Sequence, residues 1–160
     1  MDPGSRYTGF GIIKKEGQKL IHVASGRIQA IKVEGLAARL DLIFSELTAL
    51  VEKHKPDAFA IEKVFHGKNP QSSLILGHAR GVALLVGARS GAEIFEYSPT
   101  EIKNAVVGQG RAEKAQVAGM VKILLNLGQA KLSEDESDAL SIAICQANNQ
   151  LFETMKRNSK

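Results

Sequence analysis

The chain has 160 residues, 44% of them hydrophobic and 24% charged, which fits one ordinary globular domain over 1–160 with a frayed tail from about 155. Its one cysteine, Cys145, excludes an intrachain disulfide and any multi-cysteine metal site, and no apolar run approaches the about 18 residues of a membrane span. With no secretory signal in view, a cytoplasmic protein without a membrane partner is expected. The net charge of +4, from 21 Lys and Arg against 17 Asp and Glu, weakly favours a polyanionic partner. Placement says more than the total. Acids cluster at Glu134, Asp135, Glu136 and Asp138, while basic residues gather at Lys63, Lys68, Arg80, Lys103, Arg111 and Lys114. An acidic pocket in a basic surround suits metal-assisted chemistry on a phosphodiester, carboxylates holding cations and basic side chains holding the backbone.

The chain opens MDPGSRYTGFGII, an Asp-Pro-Gly turn leading into an apolar, glycine-spaced strand over Tyr7–Lys15. A turn at Glu16–Lys19 and a second strand over Leu20–Ala30 complete a hairpin. In LAARLDLIFSELTALVEK, apolar residues at 36, 40, 43, 44, 47, 50 and 51 have helical spacing, and the helix ends before Pro56. DAFAIEKVF (57–65) reads as a short strand, 70–89 as an apolar helix with Pro70 in its first turn, and EIFEYS (93–98) as a strand. A short helix over 99–107, the loop GQGR, and helices over 112–127 and 134–156 follow. An antiparallel meander feeding α/β units predicts a mixed sheet with helices on its faces.

Three acids stand out against this frame. In SEDESDALSIAI, Ser133 and Glu136 have capping-box spacing, and acids in a first helical turn suit the helix dipole. That explains Glu134, Asp135 and Glu136 but not Asp138, which shares the core-facing stripe of Ile142 and Cys145, with Asp135 one turn back. A carboxylate on a buried face must be paired or bind a cation, and spacing alone leaves both open. Glu62 ends an otherwise apolar strand, where ligands bind in α/β sheets, although an exposed strand-end glutamate is the commoner case. Asp2 taken alone is better explained by its turn, since Asp bonds its own backbone there. His66 and His78 are too isolated for a histidine metal site, and Cys145 reads as inert packing.

DPGSRYTGFGII, AIEKVFHGKNPQSSLILGHARGVAL, VVGQGRAEKAQV and DESDALSIAI resemble, in register to about residue 150, the motifs of the RuvC family of Holliday-junction resolvases. The resemblance implies a ribonuclease H-like α/β fold with a five-stranded mixed sheet and helices on both faces. It implies a homodimeric crossover junction endodeoxyribonuclease that nicks two opposed strands of a four-way DNA junction in recombination and repair, leaving 5′-phosphate and 3′-hydroxyl ends. The family's four acidic metal ligands fall on Asp2, Glu62, Asp135 and Asp138. Its basic residues near the cut phosphate fall on Lys103 and Lys114, and its base-contacting aromatic on Phe65. Lys68, Arg80 and Arg111 complete the expected DNA contacts, although Arg80 is equally open to pairing with an acid at the dimer interface. The helix from Pro70 resembles the dimer-forming helix. Implied partners are junction DNA, a second copy, and junction-binding and branch-migration proteins.

Hydrolysis of a DNA backbone needs an activated water and relief of charge on the leaving 3′ oxygen, which two divalent cations supply together. All-oxygen ligands point to Mg²⁺, with Mn²⁺ able to substitute. Four opposed carboxylates repel without cations, which predicts raised pKa values for some of them. The rival readings are an actin-like or sugar-kinase-like phosphotransferase, which shares an Asp-x-Gly turn but leaves Asp135 and Asp138 unexplained, and a junction-binding dimer without catalysis. The opening turn carries one more expectation. Relatives place a short apolar strand before this aspartate, so the first central strand is expected to be truncated here and the natural chain to start about five to seven residues earlier, the length a strand needs to pair. A free α-amino group beside Asp2 is expected to oppose cation binding.

Overall fold

The computed structural model describes residues 1–63 and 70–158, with side chains through residue 149. The strands are β1 (Tyr7–Glu16), β2 (Lys19–Gln29), β3 (Ala58–Glu62) and β4 (Glu93–Tyr97). The α-helices are α1 (Leu36–His54), α2 (Pro70–Ser90), α3 (Pro99–Val107), α4 (Lys114–Leu124) and α5 (Glu134–Asn158), with a 3₁₀ turn over Ala30–Lys32. β1 and β2 form the expected antiparallel hairpin, Glu16 opposite Lys19 and Tyr7 opposite Gln29. β3 and β4 pair in parallel across the α2 crossover, Ala58 opposite Glu93 and Glu62 opposite Tyr97.

The described residues thus hold four strands in two two-stranded sheets rather than one five-stranded sheet. Among the described residues, Met1 and Asp2 link the facing edges of β1 and β3. Asp2 exchanges both backbone hydrogen bonds with Gly9, at 3.0 and 2.9 Å, and the Met1 amine donates to the Ala60 carbonyl at 2.7 Å. Two residues make one bridge and no ladder, so the two sheets stay separate in register while sharing a common core.

Helices cover both faces. β3 shows why: Phe59 and Ile61 pack with Ile43 and Leu47 of α1 and with Ala79, Ala83 and Val86 of α2. Ala60, pointing the other way, packs with Tyr97, Ile102, Ile142 and Cys145, as strand alternation requires. Val106, Val117, Val121, Leu140 and Ile144 bring α3, α4 and α5 together on that second side. Local sequence fixes the ends. Lys55 adopts a left-handed φ of 44° at the end of α1 just before Pro56, and Ser98 with Glu101 forms a capping box that starts α3.

The first half of α5 lies directly on β1 because β1 has glycines where the helix crosses. A Cβ at Gly9 would overlap the Asp135 carbonyl, and one at Gly11 would stand 2.8 Å from Leu140 Cδ2 and 2.9 Å from its Cα and N. Backbone against backbone leaves no flexible group to give way. Gly11→Val is expected to cost about 1–3 kcal/mol as overpacking, and Leu47→Ala, at a side chain 1% exposed, about 2–5 kcal/mol. Ile123→Ala, on a side chain 72% exposed, should stay within about 0.5 kcal/mol. Urea unfolding of the three variants checks this order.

Candidate active site

Asp2, Glu62 and the pair Asp135 and Asp138 come from three segments, the chain start, the end of β3 and the start of α5. Asp2 is placed by its backbone pair with Gly9. The turn behind it is closed by buried Thr8, whose hydroxyl donates to the Gly4 carbonyl at 2.8 Å and accepts from the Gly4 N–H at 3.3 Å. Glu62 ends β3, two residues beyond Ala60 on the face covered by α5. Asp135 sits over Gly9 in the first turn of α5, and Asp138 heads the stripe continued by Ile142 (1% exposed) and Cys145 (0%). The Asp135 and Asp138 side chains keep 29% and 35% exposure.

The start of α5 is tied down twice. Ser133 and Glu136 bond reciprocally, backbone N–H to side chain, at 3.3 Å each, which is the capping box expected from their spacing. Glu136 also accepts from the Ser25 hydroxyl of β2 at 2.6 Å, and Ser25 in turn contacts His22 Nε2 at 2.7 Å. Because the serine proton goes to Glu136, the histidine nitrogen is the donor in that second bond.

The four acids feel one another. Asp2 has its pKa raised to about 6, first by burial, then by Asp138 and, more weakly, Asp135. Glu62 is raised to about 7, again by burial first, then by Asp2 and Asp138. Asp138 is raised by burial against the pull of Lys114. The expected upward shifts are therefore present, but desolvation outweighs mutual repulsion. The Met1 amine departs from expectation: burial depresses its pKa to about 5, so at neutral pH it carries no charge to oppose a cation.

Lys114, the first residue of α4, pairs with Glu134 and lies 3.6 Å from Asp138. Of the other expected DNA contacts, Arg111 is exposed in the loop before α4 and Lys103 is half-buried on α3. Arg80 pairs with Glu96 of its own chain and donates to the Glu62 carbonyl at 3.2 Å, which is neither of the two roles left open for it. Phe65 and Lys68 lie outside the described residues. Sequence reasoning missed Arg27. It lies 3.6 Å from Asp135 and 4.6 Å over the Tyr7 ring, in the row that runs Asp2, Gly9, Arg27 across the hairpin. Only the β1–β2 register reveals it.

Among the described residues no three His, Cys, Asp or Glu side chains are already drawn close enough together to chelate a metal ion. The donor set nonetheless fits one. Four carboxylates with no thiol or imidazole suit a hard, oxygen-preferring cation, and buried carboxylates that resist ionisation are groups whose charge a cation would offset.

Comparison with known proteins accords with this arrangement. The family model for crossover junction endodeoxyribonuclease RuvC matches residues 1–146. The RuvC of Geotalea uraniireducens is 47% identical over 155 residues, covering 97% of this chain and 90% of that protein, and the RuvC of Citrifermentans bemidjiense is 46% identical over 98% of this chain and 97% of its own. The structure of Thermus thermophilus RuvC in complex with a Holliday junction substrate superposes with a TM-score of 0.89 at 27% identity, over 96% of this chain and 93% of that one. With a family match across nine-tenths of its length, four acids gathered from three segments and the shared fold, this chain belongs to the RuvC family of crossover junction endodeoxyribonucleases.

Proposed function

We propose that this protein is a metal-dependent resolvase, a single nuclease domain that cuts four-way DNA junctions as a homodimer through paired nicks in opposed strands. The observation that supports the site assignment is the convergence of Asp2, Glu62 and Asp138, whose pKa values are raised by burial and by neighbouring carboxylates although they come from three segments far apart in sequence. The fold reading is ribonuclease H-like, one five-stranded mixed sheet in which the place between β1 and β3 belongs to the fifth strand.

In this reading the four carboxylates hold divalent cations, Mg²⁺ with Mn²⁺ as substitute. When bound, these supply an activated water and neutralise charge at the leaving 3′ oxygen. The chain's own contribution is positional. Glu136 anchors α5 to β2 through Ser25 and thereby sets Asp135 and Asp138. Lys114 exchanges its carboxylate partners for the cut phosphate and stabilises charge there. Arg27, held on Tyr7, fixes Asp135 while that acid awaits its cation. Arg111, Lys103 and Lys68 follow the DNA backbone, Arg80 joins them where Glu96 releases it, and Phe65 stacks on a base splayed from the crossover. Junction-binding and branch-migration proteins of the same pathway are the proposed partners, in the cytoplasm.

Cleavage of a synthetic four-way junction with Mg²⁺, beside a linear duplex control, tests the activity. Asp138→Asn should lower cleavage by at least about 100-fold while junction binding persists, the scale of losing a charge-stabilising group. An intact junction with the parent protein under Mg²⁺ and Mn²⁺ alike would refute the reading, and equal cutting of the duplex would reduce it to a general nuclease.

The metal-free site has its own signature. A carboxyl whose folded pKa is raised favours the protonated native state, so stability is fully present below its ordinary value and is lost as pH rises through the folded one. For Glu62 that window runs from about 4.5 to about 7. Without divalent cations, Glu62→Gln should therefore melt higher than the parent at pH 8 and equally at pH 4, while cleaving at least about 100-fold more slowly. The Met1 amine acts in the opposite sense, and loss of the Glu62 charge depresses it further, so the pH 4 melts serve as the reference for each protein. Thermal melts at the two pH values decide it.

A further inference from the structure

β2 is one residue longer than the stretch of β1 it pairs with. Ala24 stands opposite Ile12 and His22 opposite Ile13, so Val23 is left over in the register, a β-bulge. The bulge changes which side chains meet α5. Ser25 and Arg27 reach that helix, Ser25 at Glu136 and Arg27 at Asp135. Continued without a bulge, their alternation would bring Val23 to the same face and turn His22 away. With it, His22 joins the α5 face beside Leu20, which packs against the cluster of Leu140 and Ile144, and Val23 is left 46% exposed. Turning an imidazole in and an apolar side chain out runs against burial, which points to a task for the ring.

The ring's contact names that task. His22 Nε2 donates to Ser25 Oγ at 2.7 Å, and Ser25 donates to Glu136 Oε1 at 2.6 Å. Nε2 donates in the neutral Nε2–H form and in the charged form alike. A serine hydroxyl is a rotor with one proton and two lone pairs. With the imidazole on a lone pair, the proton is committed to the carboxylate, and each bond in such a chain polarises the next. The second oxygen of Glu136 accepts from the Ser133 N–H at 3.3 Å. The carboxylate is thus gripped by β2 at one oxygen and by the head of its own helix at the other. Glu136 follows Asp135 directly and stands two residues before Asp138, so this grip sets how far α5 is turned about its axis. A carboxylate carried roughly 6 Å from a helix axis moves by about 1 Å for a turn of about 10°. A misplacement of about 1 Å is enough to cost an active site about 100-fold.

We infer that His22 is a positioning residue of the site: acting through Ser25 and Glu136, it fixes the rotation of α5 and with it the places of Asp135 and Asp138. The bulge at Val23 is the device that delivers the imidazole to this relay. The inference rests on the reading of those acids as metal ligands, and in it His22 touches neither DNA nor cation.

The test uses variants of the full chain. His22→Phe removes the donor and keeps a ring, His22→Gln places an amide N–H near the position of Nε2, and Ser25→Ala cuts the relay in the middle. His22→Phe should slow single-turnover junction cleavage by about 10-fold or more and raise the Mg²⁺ concentration for half-maximal thermal stabilisation by a similar factor, the scale set by partners that orient metal ligands. Junction binding without divalent cations should be unchanged, and His22→Gln should recover most of both losses. The double variant His22→Phe with Ser25→Ala should be no worse than Ser25→Ala alone, because one relay cannot be cut twice. In the metal-free protein the Nε2 proton of His22 should exchange slowly enough to be seen by NMR and should vanish in Ser25→Ala. The Asp135 and Asp138 amide signals should shift in His22→Phe and return in His22→Gln. Metal-free melts check folding, and should His22→Phe not fold, Ser25→Ala carries the same comparison. Parent-level cleavage and Mg²⁺ midpoint in His22→Phe, a His22→Gln no better than His22→Phe, or a double variant worse than Ser25→Ala by the full His22→Phe factor would overturn the relay. A parent protein that leaves the junction intact counts against the nuclease reading alone, since the amide signals of the metal-free protein still decide the relay.

Discussion

The contact on which the site depends is the bare-backbone crossing of α5 over β1 at Gly9 and Gly11. Elements packed through their side chains are kept well apart, about 10 Å for two stacked sheets. At these glycines α5 comes down onto the strand itself, and its first turn is pressed against the row that holds Asp2. A residue in the acidic turn at the head of α5 then stands beside an acid at the head of the chain, 133 positions away in sequence in the case of Asp2 and Asp135. The ties of Glu136 to Ser133 and Ser25 set the helix rotation, so approach and rotation are fixed by different residues.

Such a site costs stability wherever it lacks counter-charge. Burial raises the pKa of Asp2, Glu62 and Asp138, and neighbouring carboxylates add to it. The basic groups nearby do not cancel this. Lys114 is 69% exposed at its side chain, where water screens its pull, and among the described residues Arg27 pairs with Asp135 at 3.6 Å. Among the described residues the pKa values of Asp2, Glu62 and Asp138 thus stay raised despite these cations, which leaves charge for a cationic ligand to offset.

Much of this was legible in the sequence. Period-3.6 spacing located α1, apolar composition behind Pro70 located α2, the Ser133–Glu136 pair marked the head of α5, and Asp138 stood out because an acid on an apolar stripe demands a partner. The ends were less legible. The hydrophobic run 112–127 continues past the helix, which stops at Leu124 because Asn126 turns to a φ of 53°, and the strand expected to reach Ala30 gives way to a 3₁₀ turn there. Arg27 and Ser25 were illegible for a different reason. Their roles depend on which β1 residue stands opposite, and a register that includes an irregularity between Ile12 and Ile13 is a property of the pair of strands rather than of either one.

The four acids are held with unequal firmness. Among the described residues, a single bridge to Gly9 and one bond from Met1 to Ala60 set the backbone of the Asp2 segment. Glu62 lies in a ladder with β4, and Asp135 and Asp138 ride on a helix tied to Ser133 and Ser25. Asp2 is therefore the acid whose placement rests on the fewest bonds, and any change in the spacing between β1 and β3 reaches the site through Asp2 first.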